Sequence, residues 1–234
     1  MDEPFAMHSI MKFPQAVCVA ACMHDRGISL HESIAVRKED LMQNTWSLMI
    51  KMLDKKREFS YAELLTLSLT QSDNNACDIL FNRFGGPKKV EDYLHQLGFR
   101  DIHIHWTEFE MGLSPKRSVE NNCTPKEMAR LFEWLYQHKT QNEYIQFVWE
   151  TMASCQTGTA RIASIIPEGA AFIHKTGTGF PSKEKKQDRN DAGIIIMPDG
   201  TYRIVAIFVP QSTKEEDVAS IGKKLLVHRE LQDY

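Results

Sequence analysis

The chain has 234 residues, 42% of them hydrophobic and 25% charged, and a formal net charge of -3. This is ordinary globular composition with ample material for a core, and the charge balance excludes a strong pull toward nucleic acid or anionic lipid. No apolar stretch is long enough to span a bilayer and no basic, apolar, small-residue leader opens the sequence, so the expectation is a soluble chain, or the mature part of an exported one, with no membrane or nucleic-acid partner and a monomeric state.

In chain order, Ser9 opens an apolar run through Phe13, Val17, Val19 and Ala20 that reads as a buried helix, with Pro14 removing one backbone donor near its first turn. Cys18 and Cys22 lie one helical turn apart among apolar residues and read as core thiols; with Cys77, Cys123 and Cys155 the count is odd, and no CxxC spacing occurs. Ser60-Tyr61-Ala62-Glu63 is a capping box ahead of Leu64, Leu65, Leu67 and Leu69, and Thr124-Pro125-Lys126-Glu127 repeats that signature with proline at the first helical position. Gly85, Gly86 and Gly98 read as helix stops.

The last third changes period. Residues 171–178 read as a strand, and 191–197 and 202–209 flank Pro198-Asp199-Gly200 as a hairpin. The run 203–209 is apolar on both faces, which predicts a central buried strand. Lys183, Lys185, Lys186 and Arg189, interleaved with Glu184, Asp188 and Asp191, read as a solvated loop. Residues 213–231 read as an amphipathic helix with Val218, Ile221, Leu225 and Leu226 on one face. The expected class is α+β: an all-helical subdomain over 1–155, an antiparallel sheet with a packed C-terminal helix over 156–234, and a cleft between them.

Three short motifs carry chemistry. In Ser9-Ile10-Met11-Lys12 the three-residue spacing puts serine and lysine on one helix face. A buried lysine whose charge is disfavoured is able to draw the serine proton, which an unassisted hydroxyl needs in order to act as a nucleophile. The same spacing at Ser182/Lys185 and Ser220/Lys223 reads as surface. Ser72-Asp73-Asn74 joins two helical patterns: its serine suits proton relay and its asparagine offers both a donor and an acceptor, while all three residue types also favour helix capping. Lys175-Thr176-Gly177 lies on a strand, where lysine and threonine point to opposite faces unless the strand twists, so joint action on one ligand calls for an edge position. Gly177 permits close backbone approach, and the N–H groups of Thr178 and Ser9 suit an oxyanion; the bland alternative is a strand lysine beside a bulge glycine.

This ordered trio resembles that of the class A serine β-lactamases and, more widely, the penicillin-binding transpeptidase fold. The resemblance runs from Ser9 to the C-terminus, and the stretches 74–77 and 174–178 look most like the anaerobe-associated and extended-spectrum branches. It implies an exported, periplasmic hydrolase of a small-molecule β-lactam, working with no metal or organic cofactor and conferring antibiotic resistance. By resemblance, Ser9 is acylated, Ser72 passes a proton to the leaving nitrogen, and Asn74 holds Lys12 and the substrate amide. Lys175, Thr176, Gly177 and Thr178 line the place of the substrate carboxylate and carbonyl. Arg161 falls where some branches place a guanidinium behind the strand lysine, and Trp46 where the family has an aromatic rim. The loop glutamate for deacylation falls at Glu108, with Glu110 as the neighbouring choice, and both Lys12 and Glu108 are offered as the acylation base.

Three departures from the family pattern stand out. Phe109 replaces a proline after the glutamate, so that a cis bond there would cost about 2.5–4 kcal/mol. Gly112 replaces a water-holding asparagine. An N-terminal helix and two strands usual before the nucleophile are not in this sequence, which leaves the 203–209 strand with an open edge and predicts low stability. Alternative readings are a sensor or D-alanyl-D-alanine peptidase relative that acylates without efficient turnover, an inactive remnant, and a metal hydrolase built from His103, His105 and Glu108.

Overall fold

The structure, a computed structural model, describes residues 2–230 and, within the last helix, side chains as far as Leu225. In chain order the elements are β1 (Phe5–Ala6), a 3-10 turn (His8–Met11), α1 (Lys12–Arg26), β2 (Ser33–Ala35), α2 (Met49–Met52), β3 (Glu58–Ser60), α3 (Tyr61–Thr70) and α4 (Asn74–Phe84). There follow α5 (Gly86–Gln96), β4 (Ile102–His103), α6 (Glu108–Gly112), α7 (Pro115–Glu120), β5 (Asn122–Cys123), α8 (Pro125–His138) and α9 (Glu143–Met152). The last elements are β6 (Ala171–Thr178), β7 (Gln187–Ile196), β8 (Tyr202–Ser212) and α10 (Glu216–Glu230). This is an α+β fold.

Local chemistry explains the helix ends. Ser60 accepts from the Glu63 N–H while the Glu63 carboxylate accepts from the Ser60 N–H, closing the box that starts α3. Thr124 caps α8 with Pro125 at its first position. Gly85 ends α4 at φ 101°, where a Cβ would be penalised. Gly86, expected to be a stop, is the first residue of α5, and it too has a positive φ, 79°, so the chain turns between the two helices over a pair of glycines.

The main sheet is antiparallel in the order β6-β7-β8, with Lys175 opposite Ala192 and Thr178 opposite Arg189. The strand at 202–212 is therefore not central among the described residues; β7 holds the centre, and β8 is half-buried with one neighbouring strand. Asp188 and Arg189 belong to β7 rather than to a solvated loop, as does the fully buried Asp191, which the hairpin reading sets at the start of its strand; only 181–186 forms an exposed turn. One large apolar cluster runs from α1, α3, α4, α8 and α9 into Ile173, Ala192 and Ile194 of the sheet. A second, of Ile162, Phe172, Ile195, Ile207 and Val218, joins the opposite sheet face to α10.

The buried side of α10 runs through Val218, Ala219 and Gly222. Ile221 and Leu225, expected on that face, are exposed, because Gly222 is what meets Ile165 and Ile207. Leu226 lies outside the described side chains. No described helix is long and apolar enough to cross a membrane. The described cysteines are free thiols, with Cys18 and Cys22 both buried in α1.

Candidate active site

Ser9 sits in the 3-10 turn between β1 and α1. The chain is pinned on both sides of it: the Met7 N–H donates to Asn121 O at 2.8 Å, and Asn190 Nδ2 donates to Ala6 O at 2.8 Å. His8 takes a left-handed backbone, φ 49°, and its buried ring holds Asp188 at 3.0 Å across the start of β7. A non-glycine residue in that region is strained and is kept there by its surroundings.

Lys12 begins α1 and is fully buried. Its ammonium donates to Ser9 Oγ at 2.8 Å, to Asn74 Oδ1 at 2.8 Å and to the Glu108 carboxylate. Three N–H donors thus meet three acceptors, and the carboxylate offsets a charge that would otherwise be costly to bury. Ser9 Oγ in turn donates to Glu108 Oε1 at 3.3 Å. The Asn74 amide is oriented from its other end, Nδ2 donating to Thr45 Oγ1 at 2.7 Å.

Within Ser72-Asp73-Asn74 the capping role falls to the middle residue. Asp73 accepts from Ala76 N–H at 3.0 Å, Met49 N–H at 3.0 Å and Ser47 Oγ at 2.9 Å. Ser72, at φ 58°, accepts from Lys175 Nζ at 3.0 Å.

β6 is an edge strand. Lys175 is fully buried, donates also to Thr176 O at 3.0 Å, and has no carboxylate partner among the described residues. Burial lowers its pKa to about 8. Thr176 Oγ1 lies 2.6 Å from Thr157 Oγ1 on the cleft wall. Gly177 packs so near the nucleophile turn that a Cβ would stand 2.3 Å from Met7 O. Arg161 is buried, and its guanidinium is occupied by protein groups: Gly177 O at 2.9 Å, Asn190 O at 2.7 Å, Thr178 Oγ1 at 2.6 Å and the Glu215 carboxylate. It therefore braces the end of β6. Behind the strand, burial opposes charge on His174, yet Asp191 at 2.8 Å raises its pKa to about 9; burial pushes the Cys155 thiol up, and His174 overrides this, to about 7.

Glu108 is the first residue of α6, whose N-cap is Thr107. Glu110 is spent on that cap, accepting from Thr107 N–H at 3.0 Å and Thr107 Oγ1 at 3.1 Å, so Glu108 is the glutamate beside Ser9 and Lys12. Asp78 holds it from below, accepting from the N–H groups of Glu108 and Phe109 at 2.8 Å each. No cis peptide bond occurs among the described residues. Burial, then the neighbouring Glu108 charge, raises Asp78 to about 7. His103 and His105 do not join Glu108; the carboxylate facing them is Glu91.

These groups border an open cleft of about 1050 Å³ lined by Ser9, Ser72, Asn74, Glu108, Gly112, Thr176 and Thr178. Trp46 stands at it 63% exposed, its indole donating to Gln71 O at 2.8 Å. Sequence reasoning missed Asp78, His8, Thr45 and Glu215. Asp78 had a readable signal, being four residues after Asn74 and so on the same helix face, and His8 directly precedes Ser9; Thr45 reaches Asn74, and Glu215 reaches Arg161, only by tertiary contact.

Comparison with known proteins gives consistent results. Residues 1–228 match the description "Beta-lactamase enzyme family". The chain is 34% identical over 222 residues to a beta-lactamase of Bacteroides uniformis, covering 93% of this chain and 75% of that one. It is 32% identical over 229 residues to the extended-spectrum beta-lactamase PER-1 of Pseudomonas aeruginosa, covering 94% and 74%. The crystal structure of a class A beta-lactamase from Bacteroides cellulosilyticus superposes with a TM-score of 0.87 at 31% identity, covering 94% of this chain and 82% of that one.

Proposed function

Because the chain belongs to the beta-lactamase enzyme family, and is similar throughout to class A members, we propose that Ser9 opens the amide of a β-lactam and that Glu108 drives hydrolysis of the resulting ester. The enzyme is a β-lactamase, and its activity confers resistance to that antibiotic class. The observation that carries the residue assignment is the Lys12 ammonium bridging Ser9 Oγ, Asn74 Oδ1 and Glu108.

In acylation the Ser9 proton passes to the Glu108 carboxylate, either directly along the 3.3 Å hydrogen bond or by way of Lys12. Ser9 Oγ then bonds to the lactam carbonyl carbon, and the developing oxyanion lies between the Ser9 and Thr178 amides, each such donor being worth about 10²–10³ in rate. Gly177 makes this pairing feasible by letting β6 approach the nucleophile turn. The carbon–nitrogen bond breaks, the nitrogen takes the Ser72 hydroxyl proton, and Lys175 resupplies Ser72; the proton that Glu108 took from Ser9 then returns to Lys175 through solvent in the cleft, which leaves Glu108 a carboxylate and Lys175 an ammonium before deacylation begins. A buried ammonium without a carboxylate partner among the described residues also suits an incoming substrate carboxylate, beside the hydroxyls of Thr176 and Thr178. Asn74 offers its amide to the substrate side chain, Arg161 acts by bracing β6, and Trp46 forms the rim.

In deacylation the Glu108 carboxylate removes a proton from a water molecule, whose oxygen attacks the ester carbon; Ser9 leaves and recovers a proton from the protonated base. An exported, periplasmic setting goes with this reading and with the family. Mixing the protein with a chromogenic cephalosporin tests it. Continuing colour release is expected, whereas one equivalent followed by a stop would favour the acylated sensor, a reading that the bare Gly112 at the cleft wall supports.

A further inference from the structure

Away from the cleft, α5 and β4 bring four metal-capable side chains together. Glu91 and His95 are four residues apart on α5 and so share a helix face. His103 ends β4, and His105 follows two residues later, on the same side of an extended chain. One ligand atom from each of Glu91, His95 and His103 lies within 4.8 Å of the other two. His103 Nδ1 is 3.0 Å from Glu91 Oε1, and His105 Nδ1 is 3.8 Å from Glu91 Oε2. The His95 and His103 rings meet edge-on at 5.8 Å, and the His103 and His105 rings stack at 6.1 Å.

A simple ion pair accounts for one imidazole on Glu91, but not for three converging on it. His95 has a second feature of a ligand: its Nε2 lies 3.1 Å from Ile102 O, a bond that fixes one ring nitrogen as the protonated one and leaves the other basic. Metal-bound histidines commonly hold a backbone carbonyl in this way. All the donors are partly open to solvent, so an ion has a path in. Two neutral imidazoles and a carboxylate form a borderline N/O set suited to zinc, with a fourth position for water or for His105.

We propose that Glu91, His95 and His103 form a zinc site, with His105 beside it, that is separate from the Ser9 cleft. Its effect is to clamp α5 to β4. β4 pairs with β5, which pairs with β1, the strand leading to Ser9; the chain after β4 leads to Glu108. Zinc binding the folded form alone raises stability by mass action.

The test is calorimetric titration of zinc chloride into the full chain after dialysis against EDTA, with melting curves and chromogenic cephalosporin turnover measured in parallel. The expected result is one saturable equivalent and a higher melting temperature with zinc. Binding should weaken by more than about tenfold in His95→Ala and His103→Ala, since even outer-shell partners of a metal site are worth about 10–100-fold. Glu91→Gln, which keeps the side-chain shape, should do the same, and turnover should be unchanged in every folded variant. Absence of saturable binding overturns the proposal. So does an unchanged titration in Glu91→Gln and the histidine variants, which would put the metal elsewhere, on Cys18 and Cys22 for example.

Discussion

Asp78 carries the backbone of Glu108: its two carboxylate oxygens accept the N–H groups of Glu108 and of Phe109, at 2.8 Å each. The loop bearing the proposed deacylating base is therefore anchored by a side chain from α4, the helix that also carries Asn74. Both ends of the Lys12 hydrogen-bond fan, Asn74 and Glu108, thus depend on one helix.

Replacing Asp78 by Asn leaves one acceptor oxygen for two N–H donors. The unsatisfied donor costs about 1–3 kcal/mol. The expected outcome is a lower melting temperature and a slower deacylation step with acylation largely kept, read by single-turnover kinetics. Unchanged deacylation would show that this anchor does not position Glu108.

The pH dependence follows from Lys175, whose pKa burial lowers to about 8. Below that pH the side chain is an ammonium able to receive a substrate carboxylate; above it the side chain is neutral. Thus kcat/KM for an anionic β-lactam should fall about tenfold per pH unit above the break. A pH–rate profile that stays flat well beyond the break would remove the charge of Lys175 from binding.

Gly177→Ala puts a methyl group 2.3 Å from Met7 O, a backbone atom with little room to move. Overpacking of this kind costs about 1–3 kcal/mol. β6 should draw back from the Ser9 turn, lowering both the melting temperature and the rate of acylation. Normal acylation in this variant would contradict the proposed pairing of Thr178 and Ser9 as oxyanion donors.

What the sequence made legible was local or ordered along the chain. The helix and strand regions, the Ser60 box and the Thr124 cap follow from periodicity and capping chemistry, and the three motifs name groups that the fold gathers into one cleft. The misreadings came from treating nearness in sequence as nearness in space. The alternative grouping of Glu108 with His103 and His105 fails because α6 turns it toward Lys12, almost one hundred residues earlier and as the family resemblance implies, and leaves Glu91 of α5 to face the imidazoles. Arg189 reads as part of a charged loop because its partner, Glu215, lies far away in sequence. The exposed side of α10 was misjudged because a glycine, invisible to hydrophobic periodicity, makes its contact with the sheet.

The central claim is that Ser9 takes the acyl group and Glu108 releases it. Intact mass spectrometry of the unmodified chain, Ser9→Ala and Glu108→Gln, before and after a short exposure to penicillin, tests it directly. The account predicts rapid return of the unmodified chain to its free mass, no adduct on Ser9→Ala, and one persistent penicilloyl adduct on Glu108→Gln. An adduct on Ser9→Ala, or a Glu108→Gln variant that clears its adduct as fast as the unmodified chain, would contradict it.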